Sequence, residues 1–324
     1  MLVQGHIWYI TGGASGLGEA TAALLHAHGG LVSLWDVDFP RATAAAERLN
    51  NMVAAGGPPR ATAASPAAAA AAAGSPPLRT LSPKPLTLPS PAAPVTSLVG
   101  KKVPGIGAPV RAAAFLVDVC DELAVQTAIV NTDKLWPGAP IGGVINCGGV
   151  AMAGKTVNAE GEPFDLDTFK RVVEINLVGT FNVSRLVASR ILRDLPKPVP
   201  KANEATPDRG VIINTASAAA LEGQMGQVSY AGSKAGVLGM GLPMARDLAW
   251  FGIRVMTLCP TLFETPMTEN LPPRARANLL KNAEFPARFG QPIEFAHAVL
   301  MIIENEMMNG SYIRLDGATR LGKL

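Results

Sequence analysis

The sequence has few of the residues from which metal sites and disulfide frameworks are built, and it has no long apolar run. Its 324 residues include three cysteines and four histidines. The cysteines are odd in number and widely spaced, which favours neither a disulfide framework nor a zinc site, and reduced intracellular thiols are expected. There is no secretory signal and no apolar run of about 18 residues, the length that a membrane span needs. We therefore expect no metal ion and no membrane span.

Charged residues are also few, and neither sign of charge is in large excess. Charged residues make up 16% of the chain, and the net charge is +3. Five basic residues and no acidic ones fall within residues 54–110, which leaves 23 basic and 25 acidic residues elsewhere. The rest of the chain is therefore nearly neutral and lacks the excess of basic residues with which proteins bind phosphate backbones. No nucleic-acid partner is predicted.

Residues 54–110 also stand apart in composition. The segment contains 15 alanines, 12 prolines, 6 glycines and 5 serines. Proline opposes helices and central strands, and few large apolar side chains are present to offset the entropy of ordering. We predict a disordered insertion between the second helix and the third strand. The alternative is a proline-rich ligand for a partner domain.

The rest of the chain alternates between short apolar runs and helical patterns. Apolar strands separated by helices indicate a parallel sheet covered on both faces. We predict one doubly wound α/β domain of the Rossmann type over residues 1–324, with about seven parallel strands and an interruption at 54–110. The predicted strands are His6–Ile10, Leu31–Trp35, Ala112–Val117, Gly143–Asn146, Val211–Thr215, Arg254–Leu258 and Tyr312–Leu315, and the predicted helices are Leu17–His28, Arg41–Val53, Leu123–Leu135, Leu166–Leu192, Ser229–Trp250 and Ile293–Ile303.

A glycine-rich turn follows the first predicted strand. Thr11–Gly18 reads TGGASGLG, with Gly12, Gly16 and Gly18 at the positions that matter. Glycine allows a tight turn, a close approach of the backbone to a pyrophosphate and close packing of the next helix. The N-terminus of that helix offers free N–H groups to phosphate. A strand before the turn and a helix after it favour a dinucleotide site over an ordinary loop.

An acidic residue ends the second predicted strand. Asp36 lies 18 residues beyond Gly18. A carboxylate there can accept hydrogen bonds from both ribose hydroxyls and would repel the 2′-phosphate of NADP, which favours NAD. The alternative role is that of a turn or cap residue at the next helix.

A serine, a tyrosine and a lysine follow the fifth predicted strand. Ser217 is followed after thirteen residues by Tyr230 and after four more by Lys234, on a helical pattern. Residues four apart share a helix face, and a nearby ammonium lowers the pKa of a phenol from its ordinary value near 10. Tyr230 can then exchange a proton with an alcohol while Ser217 holds the substrate oxygen. The Tyr230 and Lys234 spacing alone is also that of an ordinary surface pair, and only the combination indicates a site.

These motifs resemble the short-chain dehydrogenase/reductase family over nearly the whole chain outside residues 54–110. Within the family, the longest matches resemble the type II 3-hydroxyacyl-CoA dehydrogenases, which are also hydroxysteroid dehydrogenases. The matching segments are Ile10–Gly18, Asn146–Gly149, Asn176–Val183, Arg209–Ser217, Glu222–Gln224, Tyr230, Lys234, Ala245–Ala249, Gly252–Thr257, Pro260 and Ile313–Ala318.

The resemblance implies a role for each matching residue. Asn176 would hold a water of a proton relay behind Lys234 and join Ser217, Tyr230 and Lys234 as a catalytic residue. Ser217, Gln224 and Tyr230 would contact the substrate. Within the cofactor set, Ser15 and Leu17 would contact the pyrophosphate, Asp118 and Val119 the adenine, and Phe263 and Thr265 the nicotinamide end. The full set is Gly12, Ser15, Gly16, Leu17, Gly18, Asp36, Asp118, Val119, Cys147, Tyr230, Lys234, Phe263 and Thr265.

The sequence departs from the family pattern in two places besides the insertion. Glycine replaces alanine within Asn146–Gly149, a change that should have little effect. Thr261 follows Pro260 where the family has glycine. If that position needs a positive φ, Thr261 would be strained, which would alter the loop over the nicotinamide.

The resemblance implies an enzyme that interconverts a secondary alcohol and a ketone with NAD, most plainly a 3-hydroxyacyl-CoA, with hydroxysteroids as further substrates. Thr261–Phe289 would form an apolar substrate lid. The alternatives are a reductase of 3-oxoacyl carrier-protein thioesters and a non-catalytic scaffold member. The resemblance also implies a homotetramer in mitochondria; the ending Gly322-Lys323-Leu324 is close to a peroxisomal address, and a cytoplasmic location stays open.

Overall fold

The computed structural model describes residues 1–54, 110–269 and 273–322. The second helix ends at Ala54 and the third strand begins at Ala112, so the compositionally unusual segment does fall between those two elements. The prediction that this segment is disordered concerns residues outside the described ones. Residues 270–272 and the last two residues are likewise outside them.

Seven parallel strands form one sheet, as predicted. The strand order is β3-β2-β1-β4-β5-β6-β7, so the chain winds outward from β1 in one direction and then from β4 in the other. Each predicted strand is present, with ends that differ by at most two residues. The strands are β1 (Ile7–Thr11), β2 (Leu31–Asp36), β3 (Ala112–Leu116), β4 (Ile141–Asn146), β5 (Gly210–Thr215), β6 (Ile253–Pro260) and β7 (Tyr312–Leu315).

Helices cover both faces of the sheet. The prediction of one continuous helix over 166–192 was wrong, because a π-helical turn at Glu174–Val178 divides it. Two short helices after β6 were not predicted. The helices are α1 (Gly16–Ala27), α2 (Phe39–Ala54), α3 (Glu122–Leu135), α4 (Leu166–Val173), α5 (Gly179–Leu192), α6 (Val228–Ala249), α7 (Pro266–Glu269), α8 (Pro273–Leu280) and α9 (Pro292–Glu304).

The alternation of side chains along the strands builds two cores. In β1, Ile7 and Tyr9 pack on one face with residues of α3 and α5, whereas Trp8 and Ile10 pack on the other with residues of α1 and α9. Successive strand residues point to opposite faces, so continuous apolar strands fill both layers. Among the described residues, no helix is both long and apolar enough to cross a membrane.

An asparagine fixes the chain where it returns to the sheet after residue 109. The Asn50 amide on α2 donates to the Ala112 carbonyl at 2.9 Å, and its oxygen accepts from the backbone N–H groups of Arg111 and Ala112 at 3.0 Å. These bonds satisfy a buried amide and set the start of β3. Asn50 thus ties α2 to the start of β3, which lies four strands along the sheet from β5.

The carboxyl ends of β1 and β4 lie side by side where the strand order reverses. Ligands of open parallel α/β sheets bind in the crevice at such a switch point. The predicted glycine turn follows the end of β1 at this point, and Cys147 follows the end of β4. The fold thus places the predicted cofactor and catalytic segments at one edge of the sheet.

Candidate active site

The glycine turn is shaped as its sequence predicts. Gly12 and Gly16 have φ values of +62° and +54°, in the left-handed region that favours glycine. A Cβ on Gly18 would lie 2.2 Å from the Gly12 carbonyl oxygen, so α1 can pack this closely on the turn only with glycine there. In the described structure no side chain caps the N-terminus of α1 at Ser15. Its first N–H groups therefore remain available to an anion, which fits a pyrophosphate.

Asp36 is joined to the glycine turn. Its Oδ2 accepts a hydrogen bond of 3.1 Å from the Ala14 backbone N–H, and its Oδ1 accepts one of 3.0 Å from Asp38 N–H. The cap of α2 is a different residue, because Asp38 accepts from the Arg41 N–H. Asp36 is therefore half-buried beside the turn and is not used as the helix cap, a position that fits the ribose of a dinucleotide.

The residues after β3 and β4 are also held by hydrogen bonds. Asp118 accepts from the Cys120 N–H at 2.9 Å, and the Val119 carbonyl accepts from the Asn182 amide at 2.9 Å. The Cys147 backbone N–H donates to the Thr11 carbonyl at 3.2 Å, which ties the end of β4 to the end of β1. Burial raises the pKa of the Cys147 thiol to about 12, so it is neutral at neutral pH.

Ser217, Tyr230 and Lys234 come together beyond the end of β5. Ser217 begins a short 3₁₀ turn at Ala218–Ala220, and its hydroxyl accepts from the Ala219 N–H at 3.1 Å. Tyr230 and Lys234 lie in the first two turns of α6. Lys234 is 5% exposed, and its Nζ donates a 2.7 Å hydrogen bond to the Thr215 carbonyl, the last residue of β5. The predicted constellation is thus assembled in space.

The electrostatics of this cluster oppose full ionisation of its lysine. Burial lowers the pKa of Lys234 from its ordinary 10.5 to about 8. Burial raises the pKa of Tyr230, and a hydrogen bond with the Ser217 side chain lowers it in part. The phenol is therefore a proton donor and acceptor whose pKa depends on Ser217 and on any positive charge that is brought beside it.

Asn176 lies in the π-helical turn and is completely buried. Its Oδ1 accepts from the Val150 N–H at 2.8 Å, and its Nδ2 donates to the Val150 carbonyl at 2.9 Å and to Ser233 Oγ at 3.0 Å. The Asn176 backbone carbonyl accepts from Thr180 Oγ1 at 2.7 Å. Because π turns often occur at functional sites, the break in the helix here agrees with a role for Asn176 in the site.

The residues after β6 divide between the cleft and the core. Thr265 faces the glycine turn, because a Cβ on Gly16 would lie 3.1 Å from Thr265 Cγ2. The Phe263 ring is 6% exposed and packs edge-on against Phe295, with 6.4 Å between ring centroids. Of these two predicted cofactor residues, Thr265 thus lies beside the turn, whereas Phe263 could reach a cofactor only through its backbone.

Thr261 is not strained. Among the residues that the structure describes, Ala318 alone has a positive φ without being glycine. The Thr261 backbone N–H donates to the Leu315 carbonyl at 3.1 Å, which continues the pairing of β6 with β7. The loop over the nicotinamide position therefore has an ordinary start despite the missing glycine. Likewise, a Cβ on Gly148 would lie no closer than 3.2 Å to Thr11 Oγ1, so the family alanine would fit with a small adjustment.

Gln224 lines an open cleft beside α6. The cleft has a volume of about 410 Å³ and lies between residues 154–157 and 223–228, with Ala231 at its inner end. The two walls are bonded to each other, because Gly154 N–H donates to the Gly226 carbonyl at 2.8 Å. Ala231 lies in the first turns of α6, so the cleft runs beside the start of that helix, and its volume is within the range of small-molecule sites.

Two contacts were missed by the sequence analysis. Ser233 Oγ donates to the Tyr230 carbonyl at 2.7 Å while it accepts from Asn176, so one hydroxyl joins two predicted catalytic residues. A Cβ on Gly149 would lie 3.0 Å from Asn176 Oδ1 and 3.3 Å from Lys234 Nζ, so this glycine leaves room for both groups. Ser233 stands one residue before Lys234, which was the available signal.

Comparisons with known proteins agree with this geometry. The family model described as short chain dehydrogenase matches residues 99–276. The chain is 39% identical over 320 residues to the 3-hydroxyacyl-CoA dehydrogenase type-2 of Homo sapiens, with 98% of this chain and 97% of that protein covered. It is 47% identical over 205 residues to the enzyme of the same name from Bos taurus, with 63% of this chain and 75% of that protein covered.

A solved structure of a protein with the same name is also similar to this chain. The crystal structure of a 3-hydroxyacyl-CoA dehydrogenase type-2 from Mycobacterium avium superposes with a TM-score of 0.73 at 31% identity, over 98% of this chain and 97% of that one. The uncapped N-terminus of α1, the Asp36 carboxylate, the half-buried Tyr230 and the buried Lys234 together fit a nicotinamide dinucleotide. The chain belongs to the short-chain dehydrogenase family and is an oxidoreductase that acts on CH–OH groups with a nicotinamide cofactor.

Proposed function

We propose that this protein is an NAD-dependent dehydrogenase that interconverts a 3-hydroxyacyl-CoA and a 3-oxoacyl-CoA. The observation that carries the proposal is the cluster of the half-buried Tyr230 with the buried Ser217 and Lys234, at the carboxyl edge of the sheet that also carries the glycine turn. The substrate class is supported by relatives from animals and by a bacterial structure, all of which carry the name 3-hydroxyacyl-CoA dehydrogenase type-2.

In this proposal, the side chains of the cluster hold the reacting oxygen and move its proton. Bound NAD supplies the acceptor for a hydride. Tyr230 takes the proton of the substrate hydroxyl during oxidation and returns it during reduction. Ser217 donates a hydrogen bond to the substrate oxygen, which also stabilises negative charge there. The Lys234 ammonium, held by the Thr215 carbonyl, favours the ionised phenol.

We propose further that Asn176 links Lys234 to solvent through a water molecule. Lys234 Nζ and Asn176 Oδ1 both lie next to Gly149, where a Cβ would be 3.3 Å and 3.0 Å from them. The Asn176 side chain is already bonded to Val150 and Ser233. Its share in a relay would therefore be to fix the geometry around Lys234.

NAD is proposed rather than NADP because of Asp36. A carboxylate beside the glycine turn would accept hydrogen bonds from a ribose and would repel a 2′-phosphate. The Ala14 and Asp38 N–H groups fix the carboxylate in place. The remaining cofactor contacts are proposed at the residues given in the sequence analysis, with Phe263 taking part through its backbone.

The substrate is proposed to enter by the cleft that Gln224 lines and to be covered by residues 261–289. Apolar side chains of that segment would suit an acyl chain or a steroid. We also propose a single domain interrupted by a disordered 54–110 segment, because of the strand and helix pattern and the composition of that segment. A homotetramer and a mitochondrial location are proposed because the resemblance implies them.

The experiment that tests the function is NADH oxidation with acetoacetyl-CoA as substrate. NADPH, a ketosteroid and an acetoacetyl carrier protein are run beside it. We expect turnover with NADH and acetoacetyl-CoA, and none above background for Tyr230→Phe, which should still bind NADH. Turnover of the carrier-protein substrate with NADPH alone would instead favour the carrier-protein reductase, and full activity of Tyr230→Phe would contradict the mechanism.

A further inference from the structure

The segment after β7 folds back toward the substrate cleft. Residues 316–322, which we name the C-terminal strap, follow the last strand. Within the strap, Gly317 and Ala318 have φ values of +52° and +61°. Alanine adopts such a conformation only where its surroundings enforce it, so the path of the strap is determined by its contacts.

Those contacts centre on one carboxylate, which immediately precedes the 223–228 wall of the cleft. Glu222 Oε1 accepts a 2.8 Å hydrogen bond from Arg314 of β7, and its Oε2 accepts a 3.0 Å bond from the Leu321 backbone N–H of the strap. The Glu222 side chain is 24% exposed and that of Arg314 is 19% exposed. Hydrogen bonding with Arg314 lowers the pKa of Glu222, so the pair is ionised at neutral pH.

Glu222 is also built into the loop that carries Gln224. Its backbone N–H donates to the Ala218 carbonyl at 2.9 Å, in the turn that Ser217 begins. Two residues later, Gln224 Nε2 donates to the Gly322 carbonyl of the strap at 3.2 Å. The strap therefore holds this wall at two points, one of them the side chain that we place in contact with the substrate.

The strap also contacts the proposed lid segment. The Phe285 backbone N–H, in the proposed lid segment, donates to the Gly317 carbonyl at 3.3 Å. Arg314 extends the connection through Asp316, at 2.6 Å from Nε, and through the Thr319 carbonyl, at 3.3 Å. The strap is thus bonded both to the loop that carries Gln224 and to the proposed lid segment.

We infer that Glu222, held by Arg314 and the C-terminal strap, is a positioning residue that fixes the Gln224 wall of the substrate cleft. This inference rests on the proposed function, because it assumes that the substrate lies against Gln224. The carboxylate acts through the loop and touches none of the reacting atoms. Its loss should therefore weaken substrate binding and leave the chemistry at Tyr230 intact.

The test compares Glu222→Gln with a matched control, Asp133→Asn. Asp133 pairs with Arg190 and Arg193 between α3 and α5, and the Asp133 and Arg190 side chains are 18% and 12% exposed, so the control loses a similar ion pair far from the cleft. We expect Glu222→Gln to raise the KM for acetoacetyl-CoA about three- to tenfold, the size of one net hydrogen bond. Its kcat and its NADH dissociation constant should stay within about twofold of wild type.

A second variant and a second readout keep the outcome decisive. A chain that ends at Thr319 should raise KM in the same way, because it lacks both strap contacts. Backbone hydrogen exchange of residues 223–227 should accelerate in Glu222→Gln but not in Asp133→Asn. An unchanged KM, or equal losses of kcat and NADH binding in both variants, would overturn the inference. If wild type does not reduce acetoacetyl-CoA, the proposed function fails, and exchange in 223–227 alone then decides on positioning.

Discussion

The Nζ of Lys234 lies 2.7 Å from the carbonyl oxygen of Thr215, the last residue of β5 and two residues before Ser217. This bond ties the first turns of α6 to the carboxyl edge of the sheet. It also provides a buried ammonium with an acceptor, although burial still lowers the pKa of Lys234 from 10.5 to about 8. Burial thus places the charged form of Lys234, which we propose assists proton transfer, at an energetic disadvantage.

Lys234→Met should reveal that disadvantage as a change in the pH dependence of stability. Below pH 8 the lysine is charged in both the folded and the unfolded chain, and the full penalty of burying the charge is present. Above pH 10.5 it is neutral in both, and the penalty disappears. The Tm of Lys234→Met relative to wild type should therefore fall between pH 8 and pH 10.5, as measured by thermal unfolding. A difference that is constant over this range would contradict the lowered pKa.

Ser217→Ala should move the pH profile of oxidation to higher pH. The Ser217 side chain lowers the pKa of Tyr230, which burial raises, so removing the hydroxyl raises that pKa further. Because oxidation needs the ionised phenol, the rising limb of kcat/KM with pH should shift upward. Loss of the hydrogen bond to the substrate oxygen should also lower kcat by about 10²–10³-fold.

The control for that variant is Ser217→Thr, which keeps a hydroxyl at the same place. It should retain the wild-type pH profile, even if its turnover is reduced. A profile that shifts equally in both variants would show that the bulk of the turn, and not the hydroxyl, sets the pKa of Tyr230.

The sheet and the glycine turn could be predicted from sequence because their causes are local. Buried parallel strands must be apolar throughout, and the conformations of Gly12 and Gly16 favour glycine. The break in the helix at Asn176 could not be predicted, because its partners Val150 and Ser233 are distant in the chain. Hydrophobic periodicity in the sequence predicts a helix, but it does not predict tertiary contacts that are made within one of its turns.

The substrate side of the site was predictable only by resemblance, and unevenly. Phe263 was expected at the nicotinamide, yet its ring packs against Phe295, because an apolar pattern does not distinguish a lid residue from a core residue. The contact of Gln224 with Gly322 joins positions 98 residues apart, and no local spacing encodes it. The same holds for Asn50, whose amide fixes the chain 62 residues further on.

Asp36→Asn should weaken NADH binding while it leaves the fold intact. A charged acceptor contributes about 1.5–3 kcal/mol to a hydrogen bond, so we expect the NADH dissociation constant to rise about tenfold to a hundredfold. The preference over NADPH should shrink, because the repulsion of the 2′-phosphate is removed. Asp38→Asn is the matched control: it caps α2 through the Arg41 N–H and should leave both dissociation constants near wild type. Equal binding of NADH by wild type and Asp36→Asn would remove Asp36 from the ribose site.

Arg254→Met should destabilise the fold without touching the site. The guanidinium pairs with Asp208 at 2.8 Å, and both side chains are under a tenth exposed. It also donates to the carbonyls of Ile302 and Asn305, at the end of α9. The variant leaves a buried carboxylate and the carbonyls of a helix terminus without their hydrogen-bond partner. We therefore expect the free energy of unfolding, measured by denaturant titration, to fall by about 3–5 kcal/mol.

Two further variants separate the buried pair from its surroundings. The double variant Asp208→Leu with Arg254→Met should recover part of the loss, because the stranded charge is removed as well. Arg288→Met breaks a pair with Glu294 whose side chains are 45% and 43% exposed, and should change stability by no more than about 1 kcal/mol. If the double variant is less stable than Arg254→Met alone, the main role of Arg254 is the bonding of the α9 carbonyls, and Asp208 is the lesser partner.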